Sequence, residues 1–251
     1  MFDLQGKLAL ITGSSRGLGF TFAAGLGRAG AEIVLNGRNE ETLQNASREL
    51  AGQGIEVHYS VFDVNDEKAV MSEVKRIEQK IGPIGILINN AGLNLRHALP
   101  DMPLEEWKQV IDVNLTGAFL LSREVSRGMI SRQSGKIINV CSMLSELGRP
   151  TTPAYAAAKG GLKMFTKALT VELAPYNIQV NGIGPGYFKT VMTKPLYDDP
   201  GFDAWICGRT PAGRWGEPHE LIGTAVYLAS EASNFVNGQI IYVDGGILAA
   251  L

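Results

Sequence analysis

The stretch Lys7-Leu8-Ala9-Leu10-Ile11-Thr12-Gly13-Ser14-Ser15-Arg16-Gly17-Leu18-Gly19 decides the fold. Its apolar opening, 7–11, reads as a buried strand. The glycines that follow make a tight turn, and a helical pattern begins near Phe20 and runs to Ala29. A strand, a glycine-rich turn and a helix in that order form the first unit of a nucleotide-binding fold. Its backbone N–H groups approach a pyrophosphate at the helix N-terminus. The spacing is GxxxGxG rather than GxGxxG, so placement between strand and helix carries the assignment.

Outward from this turn the pattern repeats. Strand-like stretches at 31–36, 56–62, 84–88, 136–140, 178–183 and 239–243 alternate with helical stretches at 40–51, 66–81, 103–132, 153–174 and 218–230. Seven strands alternating with helices predict an α/β fold. It is a Rossmann-type, doubly wound parallel sheet flanked by helices, in one domain over 1–251. The segment 187–216 is rich in proline and aromatics with weak periodicity, and is expected to be a substrate lid.

In this fold an acid at the end of the second strand holds the ribose of NAD, and an arginine there accommodates the 2′-phosphate of NADP. Here the strand ends Asn36-Gly37-Arg38, with no acid, and Arg16 lies in the glycine turn. NADP is the expected cofactor, with NAD as a weaker one. Asp63, past the third strand, either accepts from the adenine amino group or caps the helix starting near Asn65. Asn89-Asn90-Ala91-Gly92 ends the fourth strand with residues small enough for a cofactor to lie close. Asn114 sits mid-helix, where asparagine competes with the backbone. It is either an ordinary buried amide or the holder of a water or a kink.

Tyr155-Ala156-Ala157-Ala158-Lys159 places a phenol and an ammonium one helical turn apart on one face. An adjacent cation is expected to favour the phenolate and so make the tyrosine a proton-transfer group. Ser142 ends the fifth strand, where ligand contacts are expected. Arg96 follows Gly92 by four residues, close to where a substrate would sit. It binds either an anionic substrate group or solvent. His97, Tyr187, Met192 and Trp205 are weaker candidates for the pocket wall.

A formal charge of −2 gives no basic footprint for nucleic acid. Two distant cysteines, Cys141 and Cys207, indicate a reducing compartment rather than a disulfide scaffold. The three histidines show no metal-ligand spacing, so no metal site is expected. No apolar run reaches membrane-spanning length, and the N-terminus shows no signal-peptide pattern. A cytoplasmic protein is the expectation.

Thr12-Gly13-x-x-x-Gly17-x-Gly19, Asn89-Asn90-Ala91-Gly92, Asn114, Ser142, Tyr155-x-x-x-Lys159 and Pro185-Gly186 stand in an order and spacing that resembles the short-chain dehydrogenase/reductase family over essentially the whole chain. The resemblance implies hydride transfer with Asn114, Ser142, Tyr155 and Lys159 as catalytic residues. It places the cofactor against Gly13, Ser15, Arg16, Gly17, Leu18, Gly19, Arg38, Asp63, Val64, Asn90, Ala91, Gly92, Tyr155, Lys159, Pro185, Gly186, Phe188 and Thr190. It implies a homotetramer. Val34–Arg38, Gly184–Thr190 and Arg209–Gly216 look like the sugar-acid dehydrogenases of that family. Arg96, Ser142, Tyr155 and Tyr187 are then the expected contacts of a small sugar acid. The 3-oxoacyl-[acyl-carrier-protein] reductases carry the same catalytic motifs, but often have an arginine where Val171 stands. A polyol or ketose reductase also fits. A non-catalytic dinucleotide sensor on the same fold would not need all four catalytic residues.

Overall fold

The computed structural model describes residues 1–250. Its seven strands are β1 (Leu8–Ile11), β2 (Glu32–Gly37), β3 (Val57–Val61), β4 (Ile84–Asn89), β5 (Gly135–Val140), β6 (Ile178–Pro185) and β7 (Ile240–Val243). They form one parallel sheet in the order β3-β2-β1-β4-β5-β6-β7. The helices are α1 (Gly17–Arg28), α2 (Glu40–Ala51), α3 (Glu67–Lys80), α4 (Leu104–Ile111), α5 (Gly117–Arg132), α6 (Pro153–Leu173), α7 (Lys194–Tyr197), α8 (Pro200–Arg209) and α9 (Ile222–Ala229).

Strand residues alternate between two cores. Ala9 and Ile11 pack with Phe22, Leu26 and Leu228 from α1 and α9, whereas Leu8 and Leu10 pack with Val74, Ile77 and Val125 from α3 and α5. Burial on both faces explains why the strands read as continuous apolar runs. Each such Leu, Ile, Val or Phe side chain contributes roughly 1.5–3 kcal/mol of transfer free energy. The direction of strand succession reverses between β1 and β4. A crevice therefore opens there beyond the carboxyl ends.

Four local expectations are corrected. The helix over 103–132 is interrupted: Asp112–Thr116 form a π-turn between α4 and α5. Asn114 is the cause. Its Nδ2 donates to the carbonyls of Val110 (2.9 Å) and Leu93 (2.8 Å), so a side chain takes a carbonyl the helix ladder would use. The 218–230 helix begins as a 3₁₀ turn, Pro218–Leu221. The 187–216 segment is not irregular throughout but carries α7 and α8. Helix α3 is capped by Asp66, which accepts from the N–H of Ala69 at 3.0 Å, and not by Asp63. Two acids three residues apart both suit a cap, and the one nearer the helix takes it. No helix of the described residues is long and apolar enough to cross a membrane.

Candidate active site

The β1 turn and the β4 end are latched to each other. Thr12 Oγ1 accepts from the N–H groups of Asn90 and Ala91, both at 2.9 Å. Asn90 Nδ2 donates back to the carbonyls of Thr12 (2.9 Å) and Gly13 (3.0 Å). A Cβ on Gly13 would lie 2.9 Å from Ala91 Cα, and one on Gly19 would run into the Gly13 carbonyl. Glycine is therefore required at both by close approach. Gly17 shares the positive φ of Gly13 (+60° and +59°) but differs in that its Cβ side is open. Helix α1 starts there with Arg16 at the N-cap and no side-chain cap bond. By contrast α2 is capped by Asn39. An uncapped helix start under an open glycine leaves first-turn N–H donors for an anion, which fits a dinucleotide pyrophosphate. Ser15, Arg16 and Leu18 lie on this turn.

At the β2 end, Asn36 is buried. Its amide is spent on the N–H of Gly13 and the carbonyl of Phe62. Arg38 is exposed, 3.6 Å from Asp63, which also accepts from the N–H of Asn65. No carboxylate of β2 itself stands at the ribose end, and the nearest one is held beside a guanidinium. Val64, also expected near the cofactor, is buried under α5 and would touch a Cβ on Gly117.

The chemistry-bearing residues meet at the ends of β5 and β6. Ser142 follows β5, buried, and its Oγ accepts from the N–H of Leu144 at 3.1 Å. Lys159 is 3% exposed, and its Nζ donates to the Val140 carbonyl at 2.8 Å. Its Nζ lies 5.6 Å from the centroid of the Tyr155 ring. Burial pushes Lys159 down to about 8. Burial pushes Tyr155 up to about 12, with the Ser142 hydroxyl acting in the opposite direction. In the protein alone the phenol is held protonated by its burial, and it is the Ser142 hydroxyl, not Lys159 turned toward a carbonyl, that opposes this. Asn114 Oδ1 is buried without a partner among the described residues, and a Cβ on Gly92 would sit 2.7 Å from it.

Pro185 closes β6. The Gly186 N–H donates to the Val243 carbonyl at 2.9 Å. Phe188 is turned into the core against Gly216, so its ring is not available to a cofactor and only its backbone is. Thr190 is tied to Thr193 through hydroxyl and backbone bonds.

A cleft of about 320 Å³ opens above Ser142 and Tyr155. Arg96, Tyr187 and Met192 line it as anticipated, whereas His97, paired with Glu106 at 2.7 Å, and Trp205 do not. The wall also holds Asn94, Met143, Leu144, Arg149, Thr193, Pro195 and Leu196, which sequence reasoning missed. For Arg149 the sole signal was its position seven residues after Ser142.

This site sits on a chain that matches the short chain dehydrogenase family over residues 7–201. The protein belongs to that short-chain dehydrogenase/reductase family and is an oxidoreductase acting on CH–OH groups. Among its relatives is the 5-keto-D-gluconate 5-reductase of Escherichia coli, 52% identical over 251 residues, covering 100% of this chain and 99% of that one. Another is the 2-dehydro-3-deoxy-D-gluconate 5-dehydrogenase of Formosa agariphila, 50% identical over 253 residues, covering 100% and 96%. The crystal structure of a gluconate 5-dehydrogenase from Burkholderia cenocepacia, in complex with NADP and tartrate, superposes with a TM-score of 0.97. It is 48% identical and covers 100% of this chain and 98% of that one.

Proposed function

We propose that the protein interconverts D-gluconate and 5-dehydro-D-gluconate with NADP(H). The observation that carries this reading is the cleft itself. It brings Ser142 and Tyr155 together with Arg96, an exposed guanidinium on the cleft wall that has no acidic partner among the described residues. A carboxylate is the natural partner of such a fork. Asn94 Oδ1, buried and without a partner, lines the same cleft and suits a substrate hydroxyl. The relatives named above act on sugar acids by their names.

Tyr155 Oη gives a proton to the substrate oxygen in reduction and takes it back in oxidation. Ser142 Oγ donates a hydrogen bond to that oxygen and opposes its developing charge. Lys159 supplies positive potential beside the phenol and, in this reading, binds the nicotinamide ribose. Asn114 holds the π-turn and a water that links Lys159 to solvent. The bound cofactor supplies or accepts the hydride. Gly13, Ser15, Arg16, Gly17, Leu18, Gly19, Arg38, Asp63, Val64, Asn90, Ala91, Gly92, Pro185, Gly186, Thr190 and the backbone of Phe188 surround it. The absence of an acid at the carboxyl end of β2, where the chain reads Asn36-Gly37-Arg38, favours NADP over NAD. The segment 187–216 serves as lid on a single domain, and the enzyme works as a cytoplasmic homotetramer.

The test is a rate comparison with 5-dehydro-D-gluconate, 2-dehydro-3-deoxy-D-gluconate, an uncharged ketose and acetoacetyl thioester, each with NADPH and NADH. The highest kcat/KM is expected for 5-dehydro-D-gluconate with NADPH. Faster turnover of the thioester overturns the reading.

A further inference from the structure

A second guanidinium, Arg149, stands in the same cleft as Arg96, and neither forms an ion pair among the described residues. The two charges sense each other: burial and the Arg149 cation both hold Arg96 below its ordinary value. Two like charges lining one cleft, neither of them paired, favour an anion between them. Their loops are also fastened together. The His97 N–H, next to Arg96, donates to the Thr151 carbonyl at 3.2 Å, and Thr152 Oγ1 donates to the Arg149 carbonyl at 2.9 Å.

Arg149 also reaches the opposite wall. Its Cζ lies 4.5 Å from the ring centroid of Phe202, in the first turn of α8, and Nη1 donates to Tyr187 Oη at 3.2 Å. Tyr187 packs edge-on against Phe202 and Trp215, with centroids 5.8 and 5.4 Å apart. That bond to Tyr187 is the one side-chain hydrogen bond of Arg149 among the described residues. Of its five N–H donors the rest remain for a ligand.

We propose that Arg149 is the second arm of a carboxylate clamp with Arg96, and that through Phe202 and Tyr187 it transmits the substrate's negative charge to the segment carrying α7 and α8. This rests on the sugar-acid reading above. An acid bound between the two arginines relieves their repulsion and fixes the Arg149 stack. An uncharged ketose does neither, so acids order that segment and neutral substrates do not.

Arg149→Met and Arg149→Lys test the clamp by steady-state kinetics and by hydrogen exchange over 194–209. Arg149→Met should raise KM for 5-dehydro-D-gluconate about tenfold or more. It should affect an uncharged ketose far less, and Arg149→Lys should recover part of the loss. Arg96→Met combined with Arg149→Met should lose less than the product of the single losses, because both contact one anion. In the wild type with NADPH, the acid should slow exchange over 194–209, and Arg149→Met should abolish that slowing. Equal losses on acid and ketose, with the exchange response intact, overturn the clamp. A wild type that reduces no sugar acid overturns the functional reading instead. Calorimetric titration with tartrate then decides the clamp: binding weakened by Arg149→Met supports it, and binding unchanged by the substitution overturns it.

Discussion

The glycine turn proposed to hold the dinucleotide and the cleft wall proposed to hold the substrate are built from different material. At the turn, backbone meets backbone. Thr12, Asn36 and Asn90 spend their side chains on main-chain groups, and Gly13 and Gly19 let the chain approach itself closely. At the substrate wall, side chain meets side chain. Tyr187, Tyr197, Phe202 and Trp215 stack on one another, and Arg149 lies over Phe202. Backbone contacts fix residue type at each position, whereas stacked side chains tolerate exchange as long as shape and charge survive. The first region should therefore be brittle and the second adjustable.

Tyr155 lies where the regions meet, and its loss should exceed that of any residue on either side. Tyr155→Phe should lower kcat about 10²–10⁴-fold, the usual worth of a general acid, with little change in KM for NADPH. A loss confined to KM would place the proton transfer elsewhere.

Lys159 gives the next effect, read as stability against pH without cofactor. Its folded value, about 8, lies below its unfolded value of about 10.4. Below pH 8 it is charged in both states, and burying the charge destabilises the fold. Between these values the unfolded chain holds more protons, so stability rises with pH, by on the order of 3 kcal/mol over the full span. Tyr155 runs the other way, because its folded value is raised: stability falls from about pH 10 toward 12. Denaturant titrations of Lys159→Met across pH 7–10 should lose the rise. A rise of the same size in the variant would assign it to another group.

The brittleness itself is tested with paired glycines. Gly19→Ala drives a methyl onto the Gly13 carbonyl and Asn90, and should weaken NADPH binding by about 2 kcal/mol, ~30-fold, in a titration. Arg38→Leu should raise KM for NADPH about tenfold while leaving NADH nearly as it was, the expected worth of one charge-assisted contact. Gly208→Ala in α8 meets no atom within 4 Å and should instead stabilise the protein, by up to about 1 kcal/mol in a denaturant melt. Equal sensitivity at Gly19 and Gly208 would break the contrast.

The same contrast explains what was legible in the sequence. The strands were, because a sheet buried on both faces needs apolar runs such as Leu8–Ile11 and Ile84–Ile88. So were the glycine turn and Asn90, whose residue types follow from backbone geometry. The disturbance at Asn114 was visible, but not its form, since the π-turn depends on the distant Leu93 carbonyl. Asp66 was hidden behind Asp63, an equally good cap three residues earlier. Arg149 was scarcely legible, its one signal being its place seven residues after Ser142. Its partners, Tyr187 and Phe202, lie 38 and 53 residues downstream, and no periodicity links them. The rise of the Tyr155 pKa was also out of reach, because it comes from burial and the pentapeptide advertises only the cation.

The π-turn has one more consequence, for the phase of the helices it joins. An α-helix turns by about 100° per residue, and a π-turn carries one residue more than its α-helical equivalent. Helix α5 is therefore rotated relative to an uninterrupted continuation of α4. That rotation is what points Leu121, Val125 and Met129 at the sheet. Deleting one residue within 112–116 would heal the ladder and swing those side chains out of the core. The irregularity packed against α6 at Gly161 and the packing of a whole helix are thus encoded in the same five residues, and neither can be straightened alone.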